Sequence, residues 1–380
     1  MNEVVADVSR KPVSLAEIAL LFLKLGTTAF GGPAAHVAMM EDEFVRRRKW
    51  LSHQEFLDRL GASNLIPGPS STEMAIHIGF NQRGWPGLLT AGACFIVPAA
   101  VMVSLIAAAY VRYGSLPRVE HILYAVKPVV IAVVAQAFWN LGRTAVKSVW
   151  LGTIGAVCIA IYLFHAHELL LLAGAGIAAA LPVLLRTRSK AGMLLLAPMA
   201  AATSNPNAVP FGLSRLFLTF LKIGSVLFGS GYVLLAFLRS DFVDRLHWLT
   251  EKQIIDAVAV GQVTPGPVFT TATFIGYLVG GTRGAVVATI AVFLPAFILV
   301  AASGPLIPRI RRSPVAGAFL DGVIVGSLAL IGVVTWQLGR AAIVDVTTAA
   351  IALASAILLL RFRVNSAWLV LGAAVIGWAV

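Results

Sequence analysis

Ser70, Ser71 and Thr72 follow directly on Pro67-Gly68-Pro69, and the same break returns later in the chain as Pro265-Gly266-Pro267, ahead of Val268 to Thr271. Proline has no N–H to donate inside a helix and its ring collides with the preceding turn, so this triplet ends one half-helix and lets another begin. The start of a helix presents free backbone N–H groups and the positive end of the macrodipole, a combination that attracts anions. Hydroxyls on Ser70, Ser71, Thr72 and Thr270 add donors. The chemistry expected of such a place is the holding of an oxyanion. A simple proline kink packed on its neighbours accounts for one break less awkwardly than for two at matching positions.

Charged residues in apolar surroundings form the second constellation. Lys24 ("LKLG") and Lys222 ("LKIG") occupy the same position in two similar helices, and a lysine at mid-membrane costs a few kcal/mol. Three readings stay open: neutralisation by Asp58, Asp256 or Glu73; attraction of a transported anion; or snorkelling to the interface. Lys127, Arg59 and Glu73 lack charged counterparts later in the chain, where Ile324, Ala257 and Thr271 stand. Glu73 could take up a coupling proton or pair with Arg59. His36 follows "FGGPAA", where a structural role outweighs a proton relay. Gly31, Gly32, Gly229 and Gly231 permit close packing or a helix end.

The elements that must position these residues follow from composition. Of 380 residues 59% are hydrophobic and 12% charged, against about 25% charged in soluble domains, and mean hydropathy is +0.89. Lipid is therefore the solvent, and apolar runs of spanning length recur throughout. Cys94 and Cys158 lie inside such runs and read as packing residues. The start carries acidic as well as basic residues and no small-residue cleavage site, so it reads as mature protein. Net charge is +12, much of which belongs to cytoplasmic loops, with a basic interior vestibule that favours anions as the second reading.

"FLKLGTTAFGG" (22–32) matches "FLKIGSVLFGS" (220–230), and the same offset aligns Trp50 with Trp248, Asp58 with Asp256 and the two Pro-Gly-Pro triplets. The chain thus divides into a first repeat at 1–190, a linker at 191–209 and a second repeat at 210–380, as repeat-built transporters do. The predicted fold is an all-α polytopic membrane protein, each repeat having about five spanning helices plus a re-entrant helix pair broken at Pro-Gly-Pro. An odd number of spans inverts the second repeat. With the N-terminus outside, this arrangement segregates Lys and Arg better than a parallel one. Ser52 with Glu55 and Thr250 with Gln253 fit capping boxes ahead of the breaks. There is no Walker loop, GxSxG, HExxH or nucleic-acid module, so neither ATP hydrolysis nor another enzymatic role is expected, and no cofactor or metal.

"FLKLGTTAFGGPAAHVAMMEDEFV", "WLSHQEFLDRLGASNLIPGP" and "WLTEKQIIDAVAVGQVTPGP" resemble the chromate ion transporter family in its long, two-domain form. The likeness rests on Phe30 to Pro33, Trp50, Leu51 and Pro67 to Pro69, then on Phe228, Gly229, Gly231, Trp248 and Pro265 to Pro267; Ser230 departs from the glycine expected there. The resemblance implies a secondary transporter of a bacterial inner membrane that exports chromate and confers resistance, with sulfate as chemical analogue. Separately from the resemblance, a homodimer is a partner expectation that the sequence leaves open. An importer of sulfate or another oxyanion shares every feature above. A membrane enzyme acting on lipid phosphates would need a nucleophile or paired acids that the sequence does not offer.

Overall fold

The computed structural model describes residues 13–63, 65–114, 116–164, 166–187, 210–228, 233–311, 313–362 and 364–379, and its elements are helices without a strand among the described residues. The expected linker at 191–209 and Gly229 to Gly231 lie outside them.

Each half opens with two hairpins of short helices. α1 (Leu15–Thr28) starts at Ser14, whose hydroxyl accepts from the Glu17 amide. Its 14 residues reach about 21 Å at 1.5 Å per residue, short of the roughly 30 Å hydrocarbon core. Gly31 and Gly32 then take φ of 104° and 78°, a left-handed conformation open to glycine, and the chain returns through α2 (Gly32–Glu41) and a π-helical stretch, Asp42–Arg47. The return lays Phe44 on Phe22, with ring centroids 5.1 Å apart, and pairs Arg48 with Glu17.

The second hairpin begins with α3 (His53–Ser63), capped reciprocally by Ser52 and Glu55: the Glu55 amide donates to the Ser52 hydroxyl at 3.2 Å and the Ser52 amide to the Glu55 carboxylate at 2.7 Å. After Pro67-Gly68-Pro69 comes α4 (Ser70–Tyr113), which folds back on itself at Arg83 and Gly84. Gly79 meets Gly87 there, and a Cβ on Gly79 would lie 2.3 Å from the Gly87 carbonyl oxygen, so residues 70–82 form a short arm antiparallel to residues 85–113. Gln82 Nε2 donates to the Trp50 carbonyl at 3.3 Å and Arg83 Nε to that of Val13 at 2.6 Å. The starts of α1 and α3 and the end of the short arm therefore share one face of the molecule.

The second half repeats the pattern with α8 (Leu213–Val226), α9 (Leu234–Leu238), a π-helical stretch at Arg239–Arg245, α10 (Glu251–Val263) and α11 (Thr271–Arg311). α11 folds back at Gly280 and Gly281, where Gly276 meets Gly284 and the Thr273 and Thr289 hydroxyls bond at 2.7 Å. Phe211 and Trp248, 5.2 Å apart, gather at this half's entry beside Gly280.

The two entry faces are opposite. The long arm of α4 leaves the first face, and near its other end Tyr110 donates to Asp256 of α10 at 2.9 Å. Glu120, at the start of α5 (Pro117–Ala145), lies 3.6 Å from Lys252. At the far end of α5, Lys147 bonds Asp321 of α12 (Pro314–Ala342) at 2.7 Å. The halves are inverted repeats, and they interlock. α12 packs on α6 (Val149–Leu163) and α7 (Glu168–Thr187), while α5 packs on α13 (Val346–Arg361) and α14 (Ser366–Ala379).

One expectation changes. Five described helices are long and apolar enough to cross a membrane: Ser70–Tyr113, Val119–Ala145, Glu168–Arg186, Val268–Ala302 and Pro314–Ala342, with α6, α13 and α14 shorter. α1 and α8, which the sequence reading counts among the spans, have 14 residues each, and the chain that follows each returns along it. Residue 13 consequently shares a face with Arg46 to Lys49 instead of opposing them. On a background with Cys94 and Cys158 replaced by alanine, Arg47→Cys and Lys252→Cys are expected to react with an impermeant thiol reagent from opposite sides of sealed vesicles. Labelling from the same side would contradict the inversion.

Candidate functional site

The two Pro-Gly-Pro breaks meet where the hairpin tips converge, and each is held by the other half. The Gly68 amide donates to the Leu227 carbonyl at 2.8 Å, and the Gly266 amide to the Ala29 carbonyl at 2.9 Å. Leu227 and Ala29 occupy equivalent positions, the C-caps of α8 and α1. Both glycines have positive φ, 143° and 92°. Their flanking prolines end α3 and α10 and free the chain for the crossing. The first helices can come this near because each packs through a glycine: a Cβ on Gly26 would lie 2.7 Å from the Phe95 carbonyl oxygen, and one on Gly224 2.3 Å from that of Val292.

The breaks are alike in backbone and unlike in chemistry. At the start of α4 the amides of Thr72 and Glu73 donate to the Pro69 carbonyl, at 2.7 and 3.0 Å, which leaves those of Ser70 and Ser71 outside the helical pattern. Ser71, Thr72 and Glu73 are buried, and Thr72 Oγ1 and both Glu73 carboxyl oxygens have no hydrogen-bond partner. The Ser71 hydroxyl lies 3.3 Å from His36 Nδ1, and His36 Nε2 lies 3.0 Å from the Ala29 carbonyl oxygen. At the second break the Thr270 and Thr271 hydroxyls turn back onto the Pro267 and Val268 carbonyls, both at 2.8 Å. One break has spare donors and the other has used its own.

The charged candidates are dispersed. Lys24 is on the exposed face of α1 with Leu20 and Leu23 and joins no ion pair with a described residue. Lys222 is bound by Asp241 at 2.6 Å, and Asp241 also holds Arg245 at 2.8 Å. Neither lysine meets Asp58, Asp256 or Glu73. Asp58 accepts from Gln54 at 3.4 Å on the surface of α3. Arg59 donates to the Glu55 carbonyl at 2.8 Å and to Asn81, not to Glu73. Asp256 is fully buried between Tyr110 and Lys127, the latter 3.5 Å away.

Sequence reasoning missed Asp241, Tyr110 and Lys127 as partners, since each contact joins residues far apart in the chain or in a π-helical stretch whose register no simple period gives. Two apolar clefts, of about 760 and 590 Å³, lie apart from the breaks: one between α5, α6 and α12 beside Trp336, the other between α6 and α7 beside Trp150. Their lining suits acyl chains rather than an anion.

The chromate transporter family matches residues 16–180 and again 214–378. The chain is 34% identical to a chromate transport protein of Cupriavidus metallidurans, over 96% of this chain and 92% of that protein. A probable chromate transport protein of Synechococcus elongatus is 33% identical over 88% and 87%, and a chromate transport protein of Pseudomonas aeruginosa 30% identical over 97% and 93%. No solved structure matches the chain.

Proposed function

Because the chain belongs to the chromate transporter family, we propose that it carries chromate, a tetrahedral dianion, across the bacterial inner membrane and holds it at the start of α4. The observation that carries this reading is Thr72 Oγ1, buried without a partner beside the Ser70 and Ser71 amides at the start of a half-helix. Free N–H groups and a spare hydroxyl supply what a chromate oxygen accepts. Pro67, Gly68 and Pro69 shape this end, and Pro265, Gly266 and Pro267 shape the tip that closes on it.

In this reading α3 with the short arm of α4, and α10 with the short arm of α11, are re-entrant pairs that line a wet cavity from opposite sides, the setting in which irregular backbone is tolerated at membrane depth. The face carrying Arg46 to Lys49, Arg83, Arg143 and Lys147 is the cytoplasmic one. Outward movement of a dianion is then favoured by the inside-negative potential, at about 2.3 kcal/mol per charge per 100 mV. Opening to either side separates one tip from the other. Lys24 raises the local anion concentration, whereas Lys222 is neutralised by Asp241.

Labelled chromate exchange in proteoliposomes, with sulfate as competitor, tests the reading. Thr72→Val keeps the shape and removes the hydroxyl, and a hydrogen bond to a charged group contributes about 1.5–3 kcal/mol. Exchange is expected to weaken about tenfold or more in KM. A variant indistinguishable from wild type removes Thr72 from the site.

A further inference from the structure

Glu73 sits one residue beyond Thr72, at the mouth of the same helix end, yet a negative charge there would repel a dianion. Its side chain is fully buried and neither carboxyl oxygen has a hydrogen-bond partner. The carboxyl is pressed against the break itself: a Cβ on Gly68 would lie 2.3 Å from Glu73 Oε1. In the position observed, where neither oxygen has a partner, an ion would lose its hydration without gaining a hydrogen bond, whereas the neutral acid loses far less and has a proton to donate.

We propose, building on the oxyanion reading, that Glu73 is held as a neutral acid that donates its hydrogen bond to the bound oxyanion, so that anion and proton occupy the α4 helix end together. When Glu73 ionises, its own carboxylate takes the place of the ligand at the free N–H groups. Anion binding and Glu73 deprotonation exclude one another, and by linkage the oxyanion binds more weakly as pH rises through the Glu73 transition. A proton moves with the anion only in a cycle where Glu73 gives up its proton on the release side before the empty site returns, its carboxylate then occupying the free N–H groups. The second break has Thr271 at the equivalent position, with its hydroxyl bonded to the Val268 carbonyl, so of the two breaks the first carries the acid.

The neighbouring titratable and charged groups are few. α2 brings His36, held between Ala29 and Ser71. α3 brings Arg59, bonded to Glu55 and Asn81, and Asp58 at the surface. α4 itself brings His77 one turn on, buried with Nε2 unpartnered. α1 brings Lys24 on its exposed face, and α10 brings Asp256, bonded to Tyr110 at the other end of α4. α11 faces the break with Ala296.

Two measurements test the proposal. The infrared difference spectrum of wild type against Glu73→Gln at neutral pH needs no substrate, and a protonated-carboxyl band present only in wild type is expected. Labelled chromate exchange at about pH 7.5 and about pH 9, where chromate is the dianion throughout, gives the second, with KM expected to rise roughly tenfold per pH unit above the transition in wild type. In Glu73→Gln that ratio falls to about one, while His77→Gln keeps the wild-type ratio. A missing carboxyl band, or a pH dependence that survives in Glu73→Gln and vanishes in His77→Gln, overturns the proposal. Wild-type proteoliposomes that exchange no chromate yet show the band would overturn the substrate reading and leave the neutral acid standing.

Discussion

Gly266→Ala is expected to abolish most chromate transport and to lower the stability of the purified protein by several kcal/mol, while Gly281→Ala loses only about 1–3 kcal/mol. Both glycines have positive φ, 92° and 59°, so both substitutions strain the backbone. They differ in what a methyl group would meet. At Gly281 nothing lies within 4 Å; at Gly266 a Cβ would come 2.7 Å from the Ala99 Cβ and 3.1 Å from the Gly26 carbonyl oxygen. Ala99 and Gly26 lie in the other half, on the long arm of α4 and on α1, which are themselves packed through Gly26 onto Phe95. Neither neighbour is the end of a flexible chain, so the clash has to be relieved by moving one repeat away from the other. That movement stretches the bond from the Gly266 amide to the Ala29 carbonyl, the contact that holds one break against the first helix of the opposite half. Transport and denaturant stability measured on both variants check this. Equal losses would mean that left-handed backbone alone explains the glycine.

The duplicated Pro-Gly-Pro triplets and matched lysines made the repeat legible in sequence, and the skew of Lys and Arg made its inversion legible, because both are properties of composition and order. Direction is another matter. α1 is apolar and ends in glycines whether it crosses the membrane or turns back. Only the contacts of Phe22 with Phe44 and Glu17 with Arg48 show that it returns. The lysines show the same limit. Lys24 and Lys222 are interchangeable in the sequence, yet the acidic residue equivalent to Asp241 is Glu43, which is bound by Arg48 at 2.8 Å. One lysine is neutralised and the other is left exposed by a neighbour whose geometry no alignment of the halves reveals. Glu73 was legible as an unusual charge, but its burial without a partner was not, because the closest charge of opposite sign on the adjoining helix, Arg59, turns to Asn81 instead.

Asp256→Asn is expected to destabilise the protein by about 3–5 kcal/mol, and Lys127→Met added to it to restore much of that loss. Asp256 is fully buried on α10 and joins three helices across the repeat boundary, accepting from Tyr110 of α4 and lying 3.5 Å from Lys127 of α5. Asparagine keeps an acceptor for Tyr110, so the substitution removes charge and little else. What remains is a mostly buried lysine that has lost its ion-pair partner, and stranding an ion costs more than the intact pair contributes. Methionine fills the lysine's volume without a charge, which removes the stranded ion. The repeat itself supports the rescue, since Ile324 stands where Lys127 would have its counterpart, and the equivalent carboxylate, Asp58, is at the surface. The first half therefore forms its α3 with that carboxylate outside the core. Denaturant unfolding of the single and double variants decides the matter. If the double variant is no more stable than Asp256→Asn, Lys127 is not stranded by the loss, and Asp256 acts through Tyr110 and the packing of α10 rather than as an ion-pair partner.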